Sequence, residues 1–464
     1  MDTETLEPAD HGGNIISIAR RKRRDVSDFL DFSSNINEFI DTEKFEYSKI
    51  VQEGERSDYY RYYPETDYRD IEMKFAQMNH VEADMISVGA GMTPLIYRSL
   101  DALKVSRSIV LYPSFSEYER ALKSRNISIT PIPSDSVRKN PQILKSYSYD
   151  FLFIANPDNP TGTATDHHTL REIVKLSYEK SASVFLDEAF IDFCTGLESA
   201  SYMVGDFPNL IIGRTLTKIS GLPGLRIGYT ISSKKVADRI KSGLESWSLS
   251  QEAVEFARNL DMPQIIESTR PLEREREYMK EKLMELGLEI VGSPSANYIT
   301  FICEKNSTVE SLGDFLAGKL IIIRNLEKYR GLGSNAFRIS IKNREKNNIL
   351  LDALKEYMSG PESFGSGFAY FFQQGLRKRK NAVLAANIVP FIIIAMFINV
   401  YIVVAYAVTA LILMVVSRHV TWKFGGINGD ILGFTGELFR MFFYASFLLL
   451  GIFPPLSILH VLLI

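Results

Sequence analysis

The chain has 464 residues, 45% of them hydrophobic and 23% charged, which suits two or more folded domains and excludes wholesale disorder. A formal net charge of −3 gives no concentrated basic face, so nucleic acid is not an expected partner. Cys194 and Cys303 are the two cysteines; their separation has no metal-ligand spacing, and reduced structural thiols of a cytosolic compartment are expected.

The first residues, MDTETLEPADHGGN, are acidic and lack an apolar stretch, so no signal peptide is expected there. The basic run from Arg20 to Arg24 reads as a solvated helix face. Short β-branched or aromatic runs then alternate with amphipathic stretches: SIVLYP (108–113), FLFIAN (151–156), SVFLDEAF (183–190), LIIGRT (210–215) and RIGYTIS (226–232). Strands separated in this way predict crossover units and a mainly parallel sheet. A smaller α+β portion follows, with a charged helix near 268–287 and strands near 297–302 and 337–341.

Composition changes near Met358. The string MSGPESFGSGFAYFFQQG predicts a linker over 358–376. From Val383 to Val416, 34 consecutive residues carry no charge, whereas one bilayer span needs about 20. Two spans turning near Asn399 are expected. Arg377, Lys378, Arg379 and Lys380 precede the stretch, and Arg418 and Lys423 follow it, placing both ends on the cytoplasmic side. A further apolar run, Met441 to Ile464, is broken by Pro454 and Pro455. Residues 377–464 are therefore expected to form a multi-pass α-helical transmembrane tail, with the preceding domain in the cytoplasm at the cell membrane.

Several motifs carry candidate chemistry. Gly89-Ala-Gly91-Met92-Thr93 precedes a helical run, and small residues there let backbone N–H groups approach a phosphate. YPSFSEY (112–118) supplies an aromatic, Phe115. NPDNPTG (156–162) reads locally as a Pro/Gly turn after an apolar strand. Asp187 and Glu188 end the next strand, where an acidic pair is costly unless partnered. TLTKISGLPGLR (215–226) sets one lysine, Lys218, after a strand and hydroxyls and before glycines, with Arg226 eight residues later.

In this order, over roughly residues 10–357, the motifs resemble those of the class I and II aminotransferases, which are fold-type I enzymes dependent on pyridoxal 5'-phosphate (PLP). The resemblance implies an α/β domain over 1–357. Its large part, about 55–265, carries a mainly parallel sheet; its small α+β part comes from the N-terminal segment and about 266–357. Lys218 is implied as the Schiff-base lysine, and Asp187 as the carboxylate that keeps the PLP ring nitrogen protonated. Gly91, Met92, Thr93, Thr215 and Arg226 are implied to hold the cofactor phosphate, Phe115 to stack on the ring, and Asn159 to bond its 3-hydroxyl. Tyr63, in RYYPETDYRD, matches a tyrosine that reaches the neighbouring subunit's phosphate, which implies a homodimer. Arg338, in FRIS, matches the arginine that clamps a substrate α-carboxylate with two parallel hydrogen bonds.

Within the family, HGGN (11–14), DFSSNIN (31–37), the phenylalanine of DEAFIDF (187–193) and GLPGLR are similar to threonine-phosphate decarboxylase of cobalamin synthesis. Histidinol-phosphate aminotransferase usually has tyrosine where Phe190 stands. The resemblance implies a membrane-tethered enzyme that takes a small phosphorylated amino acid, L-threonine O-3-phosphate, and releases CO₂ to leave (R)-1-amino-2-propanol phosphate. Transamination of histidinol phosphate is the alternative, and a non-catalytic anchoring subunit of a cobamide-assembly complex is a second. His11 and Asn35 are candidates for the substrate phosphate. In the tail, GGINGDILGFTGE (425–437) resembles the C-terminal motif of cobalamin synthase. Asp430 and Glu437, seven residues apart, share one side of a helix and are candidates for Mg²⁺ beside a pyrophosphate; a helix cap is the plain reading of Asp430. The aspartate-rich motif of that family's beginning is absent, which implies a partial domain.

Overall fold

The apolar runs fold as strands, as their β-branched and aromatic content favours. In chain order they are β1 (Leu30–Asp31), β2 (Ile86–Gly89), β3 (Arg107–Tyr112), β4 (Ser128–Pro133), β5 (Phe151–Ala155), β6 (Ser183–Asp187) and β7 (Leu210–Thr215). β8 (Gly228–Ser232), β9 (Glu289–Ile290), β10 (Tyr298–Ile302), β11 (Ile321–Ile322), β12 (Arg324–Asn325) and β13 (Ala336–Ser340) follow. A computed structural model describes residues 12–41, 61–304, 309–333 and 335–359. All of them belong to one compact unit, Met1–Ser359.

β2 to β8 make a single sheet in the order β2-β8-β7-β6-β5-β3-β4. The five strands from β3 to β7 are mutually parallel, and β8 runs against both β2 and β7. The mainly parallel sheet expected from the sequence is therefore present, with β2 and β4 added to it. β4, SITPIP, carries Pro131 and Pro133, which an edge strand tolerates because one side of its ladder is unpaired.

β5, β6 and β7 are buried throughout, save the first residue of β6. Both faces of the sheet are covered, as a parallel sheet requires. Alternate residues of β6 show the two faces: Val184 and Leu186 pack with Leu170, Ile173 and Val174 of helix His167–Glu179. Phe185 points the other way, into a cluster with Leu95, Ile96 and Leu100 of helix Met92–Leu103.

The smaller sheet has the antiparallel order β12-β13-β10-β9. The N-terminal segment is stitched to the same part of the chain, since β1 pairs parallel with β11 and the Ser340 N–H donates to the Phe32 carbonyl at 2.9 Å. Helix Leu272–Glu285 stands where the charged helix was expected. The basic run lies on helix Ile15–Lys22 and just beyond it, exposed, and Arg23 ends the helix in the left-handed region at φ 53°.

One boundary differs from the sequence expectation. Helix Arg344–Ser359 continues through Met358 and Ser359, because Leu350, Leu351, Ala353 and Leu354 bury one face of it. Met358 Sδ also lies 3.9 Å from Cys303 Sγ. Among the described residues no helix is long and apolar enough to cross a membrane. The remainder of the linker, 360–376, and the expected transmembrane tail, 377–464, lie outside the described residues.

Helix Arg69–Asn79 packs on the large sheet by stacking Phe75 on Tyr229 of β8, with ring centroids 4.3 Å apart. Both rings are fully buried. Phe75→Ala is expected to cost about 3–5 kcal/mol, the usual range for a buried phenyl ring. The measurement is a lowered denaturant midpoint at unchanged slope.

Candidate active site

Parallel α/β sheets place ligands beyond the carboxyl ends of their strands. Here the ends of β5, β6 and β7 meet a cavity of about 240 Å³, reached by Ala155, Asp187 and Thr215. Lys218, Asn159, Phe115, Met92, Thr93 and Arg226 line it from the large-sheet side. Asn35 and Arg338 line it from the N-terminal segment and β13. Tyr63 does not join them: it stands 80% exposed on the surface, its ring 4.9 Å from that of Trp247. His11, Asp430 and Glu437 lie outside the described residues. Among the described residues no cluster of His, Cys, Asp or Glu gathers with the makings of a metal site.

Asp187 ends β6 only 6% exposed. Its Oδ1 accepts the Ala189 N–H at 2.9 Å, and its Oδ2 accepts the Tyr118 hydroxyl. Tyr118 is itself fixed by stacking on Phe153, with centroids 4.7 Å apart. Burial pushes the Asp187 carboxyl up to about 6, against the lowering effect of the Tyr118 and Ala189 hydrogen bonds. A cationic or N–H partner reaching it from the cavity would favour the ionised form.

Lys218 sits on a helix of four residues, Leu216–Ile219, that leaves the end of β7. Thr215 caps it, its hydroxyl oxygen accepting the Thr217 N–H at 3.2 Å. Lys218 Nζ has no hydrogen-bond partner among the described residues. Burial lowers its pKa to about 8, and the guanidiniums of Arg338 and Arg226 act in the same direction. An amine of this kind is closer to neutral than an ordinary surface lysine.

The opposite end suits an anion. Helix Met92–Leu103 begins at the cavity, so its first N–H groups and dipole face inward. Gly91 precedes it at φ +85°, and a Cβ there would come within 2.7 Å of Arg226 Nη2. A Cβ on Gly228 would meet Gly91 C at 2.6 Å and Met92 N at 2.7 Å. The two glycines thus let β8, Arg226 and the helix start close on one small space. Arg226 Nη1 and Thr217 Oγ1, 3.5 Å apart, add a guanidinium and a hydroxyl. A desolvated carboxylate, a buried lysine with no hydrogen-bond partner among the described residues and an anion cradle fit PLP's pyridine nitrogen, aldehyde and phosphate.

The third wall joins the two sheets. Asn156 braces the NPDNPTG loop by accepting the Thr165 N–H at 2.7 Å, and Tyr298 of β10 donates to the Asp158 carbonyl at 2.7 Å. The loop thereby presents Asn159, whose Oδ1 accepts from Arg338 Nη1. Among the described residues Arg338 Nε has no partner, and both side-chain amide atoms of Asn35, a residue 2% exposed, also have none.

Several cavity residues were not singled out from the sequence. Thr217 was within reach, since TLTK sets two hydroxyls before the lysine. Arg324 and Tyr329, which also line the cavity, have no local signal. Arg324 stands directly opposite Arg338 in the antiparallel pairing of β12 with β13. Tyr118 was visible only as the end of the motif holding Phe115; its bond to Asp187 spans 69 residues.

The Lys218 environment has a measurable consequence. In cofactor-free protein, acylation of Lys218 followed by peptide mass analysis is expected to rise through a midpoint near pH 8, because the amine reacts only once deprotonated. A midpoint in the ordinary lysine range, about 10.4, would count against a desolvated amine.

Comparisons with known proteins agree with this geometry. Residues 27–354 match the family model for aminotransferase class I and II, and residues 350–448 match the model for cobalamin-5-phosphate synthase. Histidinol-phosphate aminotransferase 2 of Archaeoglobus fulgidus is 30% identical over 335 residues, covering 70% of this chain and 92% of its own. Threonine-phosphate decarboxylase of Salmonella typhimurium is 30% identical over 359 residues, covering 75% of this chain and 97% of its own. The crystal structure of the histidinol-phosphate aminotransferase from Clostridium acetobutylicum aligns with a TM-score of 0.64 at 28% identity, over 72% of this chain and 100% of that one. With its catalytic-type cavity and a family match across most of its length, the chain belongs to the class I and II aminotransferases, a PLP-dependent family.

Proposed function

We propose that this chain is a PLP-dependent lyase that decarboxylates L-threonine O-3-phosphate to (R)-1-amino-2-propanol O-phosphate, the linker of the cobalamin nucleotide loop. One observation carries the reading: Arg324 and Arg338 face each other across β12 and β13, 7% and 6% exposed. Both guanidinium side chains line the cavity together with Asn35. A substrate bearing both a carboxylate and a phosphate answers the two guanidiniums together. Histidinol phosphate has a phosphate but no carboxylate, so in transamination the two charges would have to be met by different substrates in turn, the phosphate of one and the carboxylates of 2-oxoglutarate.

Bound PLP would supply the electron sink for the pair left on the substrate Cα when a bond there breaks. The chain's own groups do the rest. Asp187 holds the proton on the ring nitrogen through its buried carboxylate. Met92, Thr93, Thr215, Thr217 and Arg226 hold the cofactor phosphate, and Phe115 covers the ring. Arg338 grips the carboxylate and Arg324, with Asn35, the substrate phosphate. Two anchored ends fix rotation about the amine–Cα bond, which decides whether the carboxylate or the Cα proton departs. When CO₂ leaves, Lys218 Nζ delivers the proton that replaces it on Cα. A pKa near 8 suits that work, since the amine can both hold and release a proton near neutrality.

The tail's match to the cobalamin-5-phosphate synthase model supports placement in the same pathway; the uncharged stretch 383–416 supports a membrane tether, and its basic flanks, Arg377 to Lys380 before and Arg418 and Lys423 after, support a cytoplasmic catalytic domain. The exposed Tyr63 supports a homodimer in which each subunit completes its neighbour's phosphate site. Histidinol-phosphate transamination is the second reading, favoured by the equal 30% identity of the A. fulgidus relative.

A substrate assay separates the two. CO₂ release from threonine phosphate without 2-oxoglutarate is expected; glutamate formation from 2-oxoglutarate and histidinol phosphate, without CO₂ release, would reverse the order. Arg324→Met is expected to raise KM for threonine phosphate about 10- to 100-fold, the worth of one charge-assisted contact. Turnover of unphosphorylated threonine should be unaffected.

A further inference from the structure

The helix that carries Lys218 is too short to hold itself. Its four residues close one backbone bond of the α type, from the Ser220 N–H to the Leu216 carbonyl at 3.1 Å. The last carbonyls of any helix lack partners within it, and a single turn has little intrinsic stability. After it the chain turns away at Gly221, φ +74°.

The Gly221 N–H reaches the Lys218 carbonyl only at 3.4 Å, and the closer partners come from far away in sequence. The Asn37 backbone N–H donates to the Lys218 carbonyl at 2.9 Å. Its side-chain Nδ2 donates to the Ile219 carbonyl at 2.9 Å and to Ser268 Oγ at 2.9 Å. Its Oδ1 accepts the Phe39 N–H at 3.1 Å. Asn37 is buried, so every polar atom of its side chain is engaged.

The same stretch of chain reaches the substrate wall. The Ser33 carbonyl accepts from Arg338 Nη2 at 3.2 Å, Asn35 lines the cavity, and the Glu38 carboxylate pairs with Lys342 at 3.0 Å and with Lys346. One segment therefore sets the lysine and the carboxylate-binding arginine in register with each other.

We propose that Asn37 is a positioning residue for Lys218: it holds the last two carbonyls of the lysine helix and so fixes where the amine stands in the cavity. The proposal rests on the reading of Lys218 as the reactive amine. Proton delivery requires Nζ within hydrogen-bond reach of Cα, and small misplacements of such a group are expensive in rate.

The test uses the full chain carrying Asn37→Ala, Asn37→Ser or Ser268→Ala. Asn37→Ser keeps a side-chain oxygen that serves the turn at Phe39 but cannot reach Ile219, so it guards against simple misfolding of the alanine variant. Ser268→Ala removes the other partner of the same amide and leaves the Ile219 bond in place. Two readouts are taken: the pH midpoint for acylation of Lys218 in cofactor-free protein, and steady-state CO₂ release.

Both Asn37 variants are expected to move the midpoint up by about one pH unit as the amine reaches water. They should also lower kcat about tenfold with KM within about twofold. Ser268→Ala should leave both unchanged. Unaltered midpoints in the Asn37 variants, or equal changes in Ser268→Ala, would overturn the proposal. The acylation readout needs neither cofactor nor substrate. A wild-type protein that releases no CO₂ would therefore defeat the proposed reaction while still leaving Asn37 decided by its midpoint.

Discussion

A carboxylate at the end of a buried strand is the constraint around which this fold arranges its cavity. Asp187 cannot be ionised cheaply where it stands, because burial disfavours charge. Tyr118 and Ala189 meet part of the demand, and the carboxyl is still pushed up to about 6. A protonated ring nitrogen of bound PLP would be the partner that completes it. The register of the sheet then decides what surrounds that partner. Asp187 lies beside Gly213 of β7, two residues before the end of the strand that leads to Lys218. Gly213 has no room for a side chain: a Cβ there would sit 2.6 Å from Met92 Sδ and 2.7 Å from the Phe185 ring. Its smallness lets helix Met92–Leu103 start close to the carboxylate and the lysine.

The other wall follows a similar logic with the sign reversed. β12 and β13 set two buried guanidiniums opposite one another at the cavity wall, where a dianionic ligand would be drawn to both. Asn159 ties this wall to the large sheet through Arg338, and the N-terminal segment ties it to the lysine helix. The two sheets share one hydrophobic core and line one cavity.

Much of this was legible in the sequence because the relevant signals are local. β5, β6 and β7 are continuous apolar runs, which a sheet covered on both faces needs, and the motifs that follow them contain Asn159, Asp187 and Lys218 within a few residues. Signals that depend on pairing were not legible. β2 is four residues long, and β4 reads as a proline-rich turn until its place on the edge is known. Arg324 looks like any surface arginine until the hairpin sets it across from Arg338. Tyr118 gains its meaning only when helix Ser116–Lys123 brings it to Asp187. Met358 was assigned to a linker from the Gly, Ser and Pro that follow it, although the apolar face of its helix extends to that point. Tyr63 was singled out from the motif RYYPETDYRD, yet it lies on the surface, away from the cavity.

Borohydride reduction of the cofactor-loaded full chain, followed by peptide mass mapping, isolates the bond on which the chemistry depends. The peptide holding Lys218 should carry one reduced pyridoxyl phosphate group, and Asp187→Asn should lose cofactor far more readily on dialysis. Cofactor fixed to a different lysine, or to none, would contradict the assignment of this cavity as a PLP site.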